Sequence, residues 1–206
     1  MKVSVWACIG AAALTTVVAC SSNGGDSSND SASPTSSVAA TASVRPTLMA
    51  SNIQPPSQKD NQYSEGLPEV VFDPCTWIGD QTIQKAGFDP ASRHRLQDMV
   101  AEQTFLTCAF KSEMKTLTIN SSNVPWDQDL QKHASHTRAT TVNGRQAIWV
   151  DDKTFAGACE IDLRTKAGFV QIFTDPTDKS NVNPSSSCDG MLNIATLIEP
   201  EIGKGN

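Results

Sequence analysis

The sequence predicts an α+β domain, an antiparallel β-sheet with helices packed on one face and two disulfides, set behind an N-terminal leader and a disordered linker. Three observations carry that prediction. Between about Met99 and Phe173 apolar residues recur with period two, while the flanking segments carry helix start and stop signals. Four cysteines, Cys75, Cys108, Cys159 and Cys188, remain once the leader is set aside. The first third of the 206 residues is a short apolar run followed by Ser-rich sequence too poor in apolar residues to join a core.

The leader, MKVSVWACIGAAALTTVVAC, has one charge, Lys2, then an apolar run and small residues. That is the layout of a secretory signal peptide, and the run is too short to span a bilayer as a stable helix. It ends in Val17-Val18-Ala19-Cys20, which resembles the bacterial lipobox. The resemblance implies a lipoprotein signal peptide over residues 1–19, a diacylglycerol thioether on Cys20 with palmitate among its acyl chains, and cleavage before that residue. Cys8 leaves with the leader. Each buried methylene contributes about 0.8 kcal/mol, and two chains hold firmly where one is marginal. Loss of Lys2 takes the net charge from −6 to −7. A net-acidic chain without a basic cluster is a poor partner for nucleic acid, so the lipid rather than charge would hold it at the membrane.

Residues 20–66 read as lipidated Cys and linker. Between Ser21 and Ala40 eight of twenty residues are Ser. A flexible coil of this length spans roughly 35–40 Å, which would lift the domain clear of the headgroups. Its Ser and Thr content makes it a candidate for O-glycosylation, which hexose increments in the intact mass would reveal. Residues 67–206 then form one domain of common size.

Phe72–Pro90, FDPCTWIGDQTIQKAGFDP, contains Phe-Asp-Pro twice. Asp73 is placed to cap a helix with Pro74 at its first position, Phe72 to staple it, Trp77, Ile78 and Ile83 to supply a buried stripe, and Gly87 to stop it. The second copy, Phe88-Asp89-Pro90, is expected to open another turn through Arg93, His94 and Arg95. The functional rival is Cys75 as a nucleophile activated by a helix N-terminus; three further cysteines in an oxidising compartment favour a disulfide instead. Further on, Leu106, Cys108 and Phe110 share one strand face, and Leu117 and Ile119 mark a second strand. Pro125-Trp126 opens a short helix with Trp126, Leu130 and Ala134 on one side. Asn143-Gly144 between strand-like runs is a hairpin signal. Cys159, Ile161 and Leu163 alternate with Glu160, Asp162 and Arg164, and FVQIF makes another strand after the Thr165–Gly168 turn. Met191, Ile194, Ala195 and Ile198 fall on one face of a final helix, which Pro200 is expected to end.

Four cysteines in an exported domain predict two disulfides; zinc is disfavoured because none stand in C-x-x-C spacing. Spacing alone leaves three pairings open. Cys108 and Cys159 both lie on apolar strand faces, and Cys75 and Cys188 both at helix starts, so the expected pairs are Cys108–Cys159 and Cys75–Cys188.

Phe72-Asp73-Pro74-Cys75, Gly87-Phe88-Asp89-Pro90, Phe105-Leu106-Thr107-Cys108, Asn143-Gly144-Arg145-Gln146-Ala147, Cys159-Glu160-Ile161 and Cys188-Asp189-Gly190 together resemble a family of actinobacterial cell-envelope lipoproteins, typical of mycobacteria and nocardiae, that is known only as a domain of unknown function. The resemblance implies a protein exported across the inner membrane and held on the outer face of the cytoplasmic membrane. It implies no activity and carries over no catalytic residue.

No constellation for enzyme chemistry appears: no Gly-x-Ser-x-Gly elbow, His-Glu-x-x-His pair or phosphate-cradling Gly-Lys-Ser loop. His133 and His136 stand at helical spacing for a shared metal, but no partner ligand is evident, and two solvated histidines at a helix end are expected. Asp151-Asp152 reads as a turn former. Glu160 and Asp162 project from the polar face of their strand and read as a wet sheet surface rather than an acidic patch. Arg145 and Gln146 read as structural pairing. No metal, cofactor or catalytic residue is therefore expected. The expected function is non-catalytic binding or scaffolding of an envelope protein, glycan or lipid. The alternative, a secreted hydrolase, requires a cleft where a histidine and a carboxylate meet Ser or Thr. A lipid carrier requires a large apolar cavity between sheet and helices.

Overall fold

Residues 48–58, 66–151, 157–178 and 188–206 are described by the computed structural model. The segment expected to be a signal peptide, Cys20, the Ser-rich segment and Asp152 lie outside the described residues. Among the described residues the chain forms an antiparallel sheet of eight strands: β1 (Asp89–Arg95), β2 (Met99–Val100), β3 (Thr104–Lys111), β4 (Lys115–Ser122), β5 (Thr137–Val142), β6 (Arg145–Val150), β7 (Cys159–Arg164) and β8 (Phe169–Pro176). The helices are α1 (Pro74–Trp77), α2 (Asp80–Lys85), α3 (Trp126–Lys132) and α4 (Met191–Ile202). The strand order is β1-β3-β4-β8-β7-β6-β5, with β2 also paired to β3. Hairpins β3–β4, β5–β6 and β7–β8 are local; the join of β4 to β8 is the long-range one.

The first Phe-Asp-Pro is a helix start as predicted. Asp73 Oδ1 accepts the backbone N–H groups of Cys75 at 2.8 Å and Thr76 at 2.9 Å, and the Phe72 ring meets Trp77 edge-on at 5.8 Å. The helix is two short pieces rather than one, with Gly79 as N-cap of the second. Gly87, at φ 89°, closes it: its N–H bonds to Gln84 O and that of Phe88 to Ile83 O, the paired bonds of a Schellman stop.

The second copy is not a helix start. Asp89-Pro90 opens the edge strand β1, whose pairing with β3 is irregular between Asp89 and His94. Asp89 Oδ1 accepts the Ala91 N–H, a local turn, and a proline is tolerated at a strand's irregular edge. Two arginines on one face of β1 then divide the work. Arg93 reaches Cys75 O and Asp80 and lies 4.8 Å over the Phe110 ring. Arg95 binds both carboxylate oxygens of Asp73, both of Asp98, and Ile53 O.

That last contact ties residues 48–58 onto the domain. Ile53, in a 3-10 turn at Ser51–Ile53, is buried in the core. The Leu48 N–H donates to Thr76 O, and the Gln58 amide bonds Val70 in both directions. Composition places these residues in the linker; their backbone contacts place them on the fold.

Both disulfides differ from the expected pairing. They are Cys75–Cys108 and Cys159–Cys188. Cys108 on β3 and Cys159 on β7 do share a sheet face, but β4 and β8 lie between them. Three strand spacings at about 4.8 Å put the two chains roughly 14 Å apart, beyond any disulfide, whose Cα atoms must approach within about 7 Å. Cys75 instead drops from α1 onto β3, and Cys188 sits beside β7 just ahead of α4.

The main core lies between the sheet and α1, α2 and α4. Ile78, Ile83, Phe110, Leu117, Ile119, Ile161, Leu163, Ile172, Ala195 and Ile198 are fully enclosed there. A smaller cluster on the opposite face joins Trp126 of α3 to Ile148, Val150 and Phe169. The final helix continues to Ile202 with Pro200 inside it. The N–H that Pro200 lacks would have bonded Thr196 O, and the Asn143 side-chain amide occupies that carbonyl at 2.9 Å. Beside it Arg145 binds Glu199, Gly203 O, Asn206 O and Arg164 O, a cation at a helix C-terminus. The Asn-Gly turn, with φ 50° at Asn143 and 85° at Gly144, aims both side chains at α4. Arg145 is thus a structural clamp, as the sequence suggested.

Candidate functional site

Beneath α3, on the face away from the main core, the sheet carries a polar row. Cross-strand register sets Thr107 of β3 opposite Asn120 of β4, Asn120 opposite Gln171 of β8, and Gln171 opposite Asp162 of β7. The side chains form a directed chain: the Thr107 hydroxyl donates to Asn120 Oδ1, Asn120 Nδ2 to Gln171 Oε1 at 2.7 Å, and Gln171 Nε2 to Glu160 Oε1 at 2.8 Å. Each donor points one strand further on, and the sequence ends on a carboxylate.

Period two on β7 produces the acidic end. Cys159, Ile161 and Leu163 enter the main core, so Glu160 and Asp162 face α3. Trp126 anchors α3 in the smaller cluster, and the helical repeat then turns Asp129 and, four residues later, His133 down onto the same spot. His133 closes the helix, its N–H bonded to Asp129 O at 3.1 Å. The result is a buried group: Asp162 is 0% exposed, Asp129 2% and His133 8%. His133 Nε2 lies 3.7 Å from Asp129 Oδ1 and 4.0 Å from Glu160 Oε1. Among the described residues no nitrogen or hydroxyl donor reaches His133 Nε2, Asp129 Oδ2 or either oxygen of Asp162. One ligand atom from each of Asp129, His133 and Asp162 falls within 4.8 Å of the others.

Burial dominates the electrostatics. It pushes the Asp162 carboxyl well above its ordinary 3.8, and the neighbouring charges of Glu160 and then Asp129 push the same way. Burial also raises Asp129, opposed by His133 and Lys132. The cluster thus sets three carboxyl groups against one imidazole, with Lys132 the lowering influence common to Asp129 and Asp162.

The cluster opens onto a cavity of about 430 Å³ whose walls include Asn120, Lys132, His133, Glu160, Gln171 and Phe173. That size suits a small ligand. Thr118 also borders it, but the unpartnered Nε2 means that no Ser or Thr hydroxyl is poised on His133. The four cysteines among the described residues are all in disulfides, so the nucleophile reading of Cys75 falls.

The structure separates the two histidines that spacing had paired: His133 is buried in the cluster, whereas His136 is exposed past the end of α3. Asp151 forms an exposed pair with Arg138 at 2.7 Å, as befits a strand-end residue. Asp162 departs furthest from expectation. Its strand face is polar but covered, since α3 lies across it. Thr107, Asn120 and Gln171 escaped notice because each is a neutral polar residue in a strand of mixed composition and belongs to no local motif. Their signal is that all three, like Asp162, sit mid-strand at positions opposed to the core face.

The family model described as protein of unknown function (DUF3558) matches residues 15–201. The chain belongs to this family. No curated protein and no solved structure matches it.

Proposed function

We propose that this chain is a lipoprotein of the actinobacterial cell envelope, anchored through Cys20 on the outer face of the cytoplasmic membrane, whose domain binds an envelope component without transforming it. The cleft beside α3 carries the reading: it is lined by the amides of Asn120 and Gln171, the carboxylate of Glu160 and the Phe173 ring, and among the described residues no hydroxyl or thiol nucleophile is paired to its one imidazole. Planar amides and carboxylates beside an aromatic edge suit the hydroxyls and ring faces of a glycan. A lipid ligand is disfavoured, because side chains fill the space between the sheet and α1, α2 and α4. A hydrolase of the serine or cysteine type would need a nucleophile–base contact that His133 lacks among the described residues.

Two measurements test this. A Cys20→Ser variant is expected to leave the membrane fraction; retention there removes the anchor from the proposal. Soluble envelope glycan fragments titrated into the full chain are expected to shift the side-chain amide signals of Asn120 and Gln171 saturably, with the fragments recovered intact. Cleaved fragments would establish the hydrolase instead. A folded protein with unmoved amides would remove glycan binding in the cleft.

A further inference from the structure

We propose that Asp129, His133 and Asp162 form a binding site for one divalent transition-metal ion of the Zn²⁺ type, with Glu160 in reach as a fourth ligand. The inference stands apart from any glycan and from the membrane anchor.

Two independent features carry it. The first is composition and placement. Two carboxylates and an imidazole from two different elements converge within 4.8 Å, with a third carboxylate 4.0 Å from the imidazole nitrogen. The second is that the converging atoms are left without partners in a place that water barely reaches. Among the described residues no donor is placed on His133 Nε2, Asp129 Oδ2 or either Asp162 oxygen, although their residues are more than nine-tenths buried; a proton on Asp162 can join it to Glu160 or Asp129 but leaves His133 Nε2 without a partner. Buried polar groups are paired in the large majority of cases, and each exception asks for an unseen partner. A partner here must satisfy several acceptors at once, and among the described residues Lys132, exposed at the rim, is the one cationic side chain that lines the cavity. A water molecule supplies the hydrogen bonds but not the charge.

The geometry fits contraction around an ion. Donors bound at about 2.0–2.2 Å in a tetrahedron stand roughly 3.4 Å apart, and the His133–Asp129 separation is already 3.7 Å. The Asp162 ligand atom lies within 4.8 Å of the other two. Mixed imidazole and carboxylate donors favour Zn²⁺ or Mn²⁺ over Ca²⁺ and Mg²⁺, which favour oxygen donors alone. The Thr107–Asn120–Gln171 relay then acquires a role. It holds Glu160 from outside, as hydrogen-bonded residues around metal ligands commonly do. The cation would also lie against the wall of the cavity.

The test uses the full chain, stripped by chelation and titrated with Zn²⁺. The expected result is one ion bound per chain. The imidazole ¹⁵N signals of His133 should move on binding, while those of His94 and His136 stay still. Asp162→Asn and His133→Gln should abolish binding, His136→Gln should leave it intact, and Gln171→Leu should weaken it about 10–100-fold. Failure of the folded wild-type chain to bind Zn²⁺ at micromolar concentration overturns the proposal, as does binding that moves His94 or His136 instead. Because the imidazole signals are read on the wild-type chain, a variant that fails to fold leaves the test decisive.

Discussion

The two faces of the sheet handle buried polarity in opposite ways. Toward α1, every charge that enters is answered. Arg95 spans Asp73, Asp98 and a backbone carbonyl, and Asp73 also caps the helix. Burial there lifts Asp98 above its ordinary 3.8, but the Thr107 N–H and Arg95 work against the rise. Toward α3 the answer is incomplete: three carboxyl groups meet one imidazole with Lys132 at the rim, and among the described residues no nitrogen or hydroxyl donor reaches Asp162. The first face behaves as a scaffold, and each polar contact there can be understood as support for the fold. The second keeps an unfavourable arrangement next to a cavity, which is where strained residues are most informative about function.

Stability measurements can break or sharpen this contrast. Arg95→Ala should have the largest effect, because it leaves Asp73 and Asp98 buried without their cation. A loss of about 3–5 kcal/mol in urea unfolding is expected; a loss below 1 kcal/mol would mean that the paired face is no better compensated than the other. Replacing Cys75 and Cys108 together by Ser should cost about 2–4 kcal/mol, and non-reducing peptide mapping of the wild type should yield the Cys75–Cys108 and Cys159–Cys188 peptides.

On the α3 face the sign should reverse. In chelated protein at pH 7, Asp162→Asn should raise stability by on the order of 1–3 kcal/mol. The pH dependence follows from linkage. The folded pKa of Asp162 lies above its unfolded value of 3.8, so the wild-type side chain contributes fully below that pH. The contribution is lost as pH rises toward the folded value, because only the unfolded chain releases its proton there. The advantage of the variant should therefore vanish near pH 3–4 and grow above it. The groups facing Asp162 are Asp129, His133 and Lys132 from the α3 side, Glu160 on its own strand and Gln171 on β8. A variant less stable than wild type at every pH would place Asp162 among the supporting residues. The smallest effect belongs to the hairpin: Asn143→Ala forfeits a left-handed conformation and the bond to Thr196 O, for about 1 kcal/mol by thermal melting.

What the sequence made legible was local. The Asp73 cap, the Gly87 stop, the Asn143-Gly144 turn and the buried stripe of α4 each depend on residues within a few positions, and each is present. The disulfide pairing was not legible because it depends on β8 inserting next to β4, which no local pattern encodes. The same cause hid the site. Alternation on β7 correctly put Glu160 and Asp162 on the face opposite the core. Whether that face is wet depends on where α3 lands, a property of the tertiary fold. Residues 48–58 show the converse: a polar composition favours a linker, yet one buried Ile53 and a few backbone bonds suffice to fasten the segment.

The connectivity of the cysteines has a consequence for assembly. The two bridged loops, 33 and 29 residues in separation, follow one another along the chain and neither encloses the other. If the chain is exported as proposed, threading N-terminus first into an oxidising compartment would present Cys75 and Cys108 as the domain's only thiols until Cys159 follows. Of the three ways to join four cysteines, the native one is thus the pairing that order of arrival alone produces, with no bond to be broken and remade.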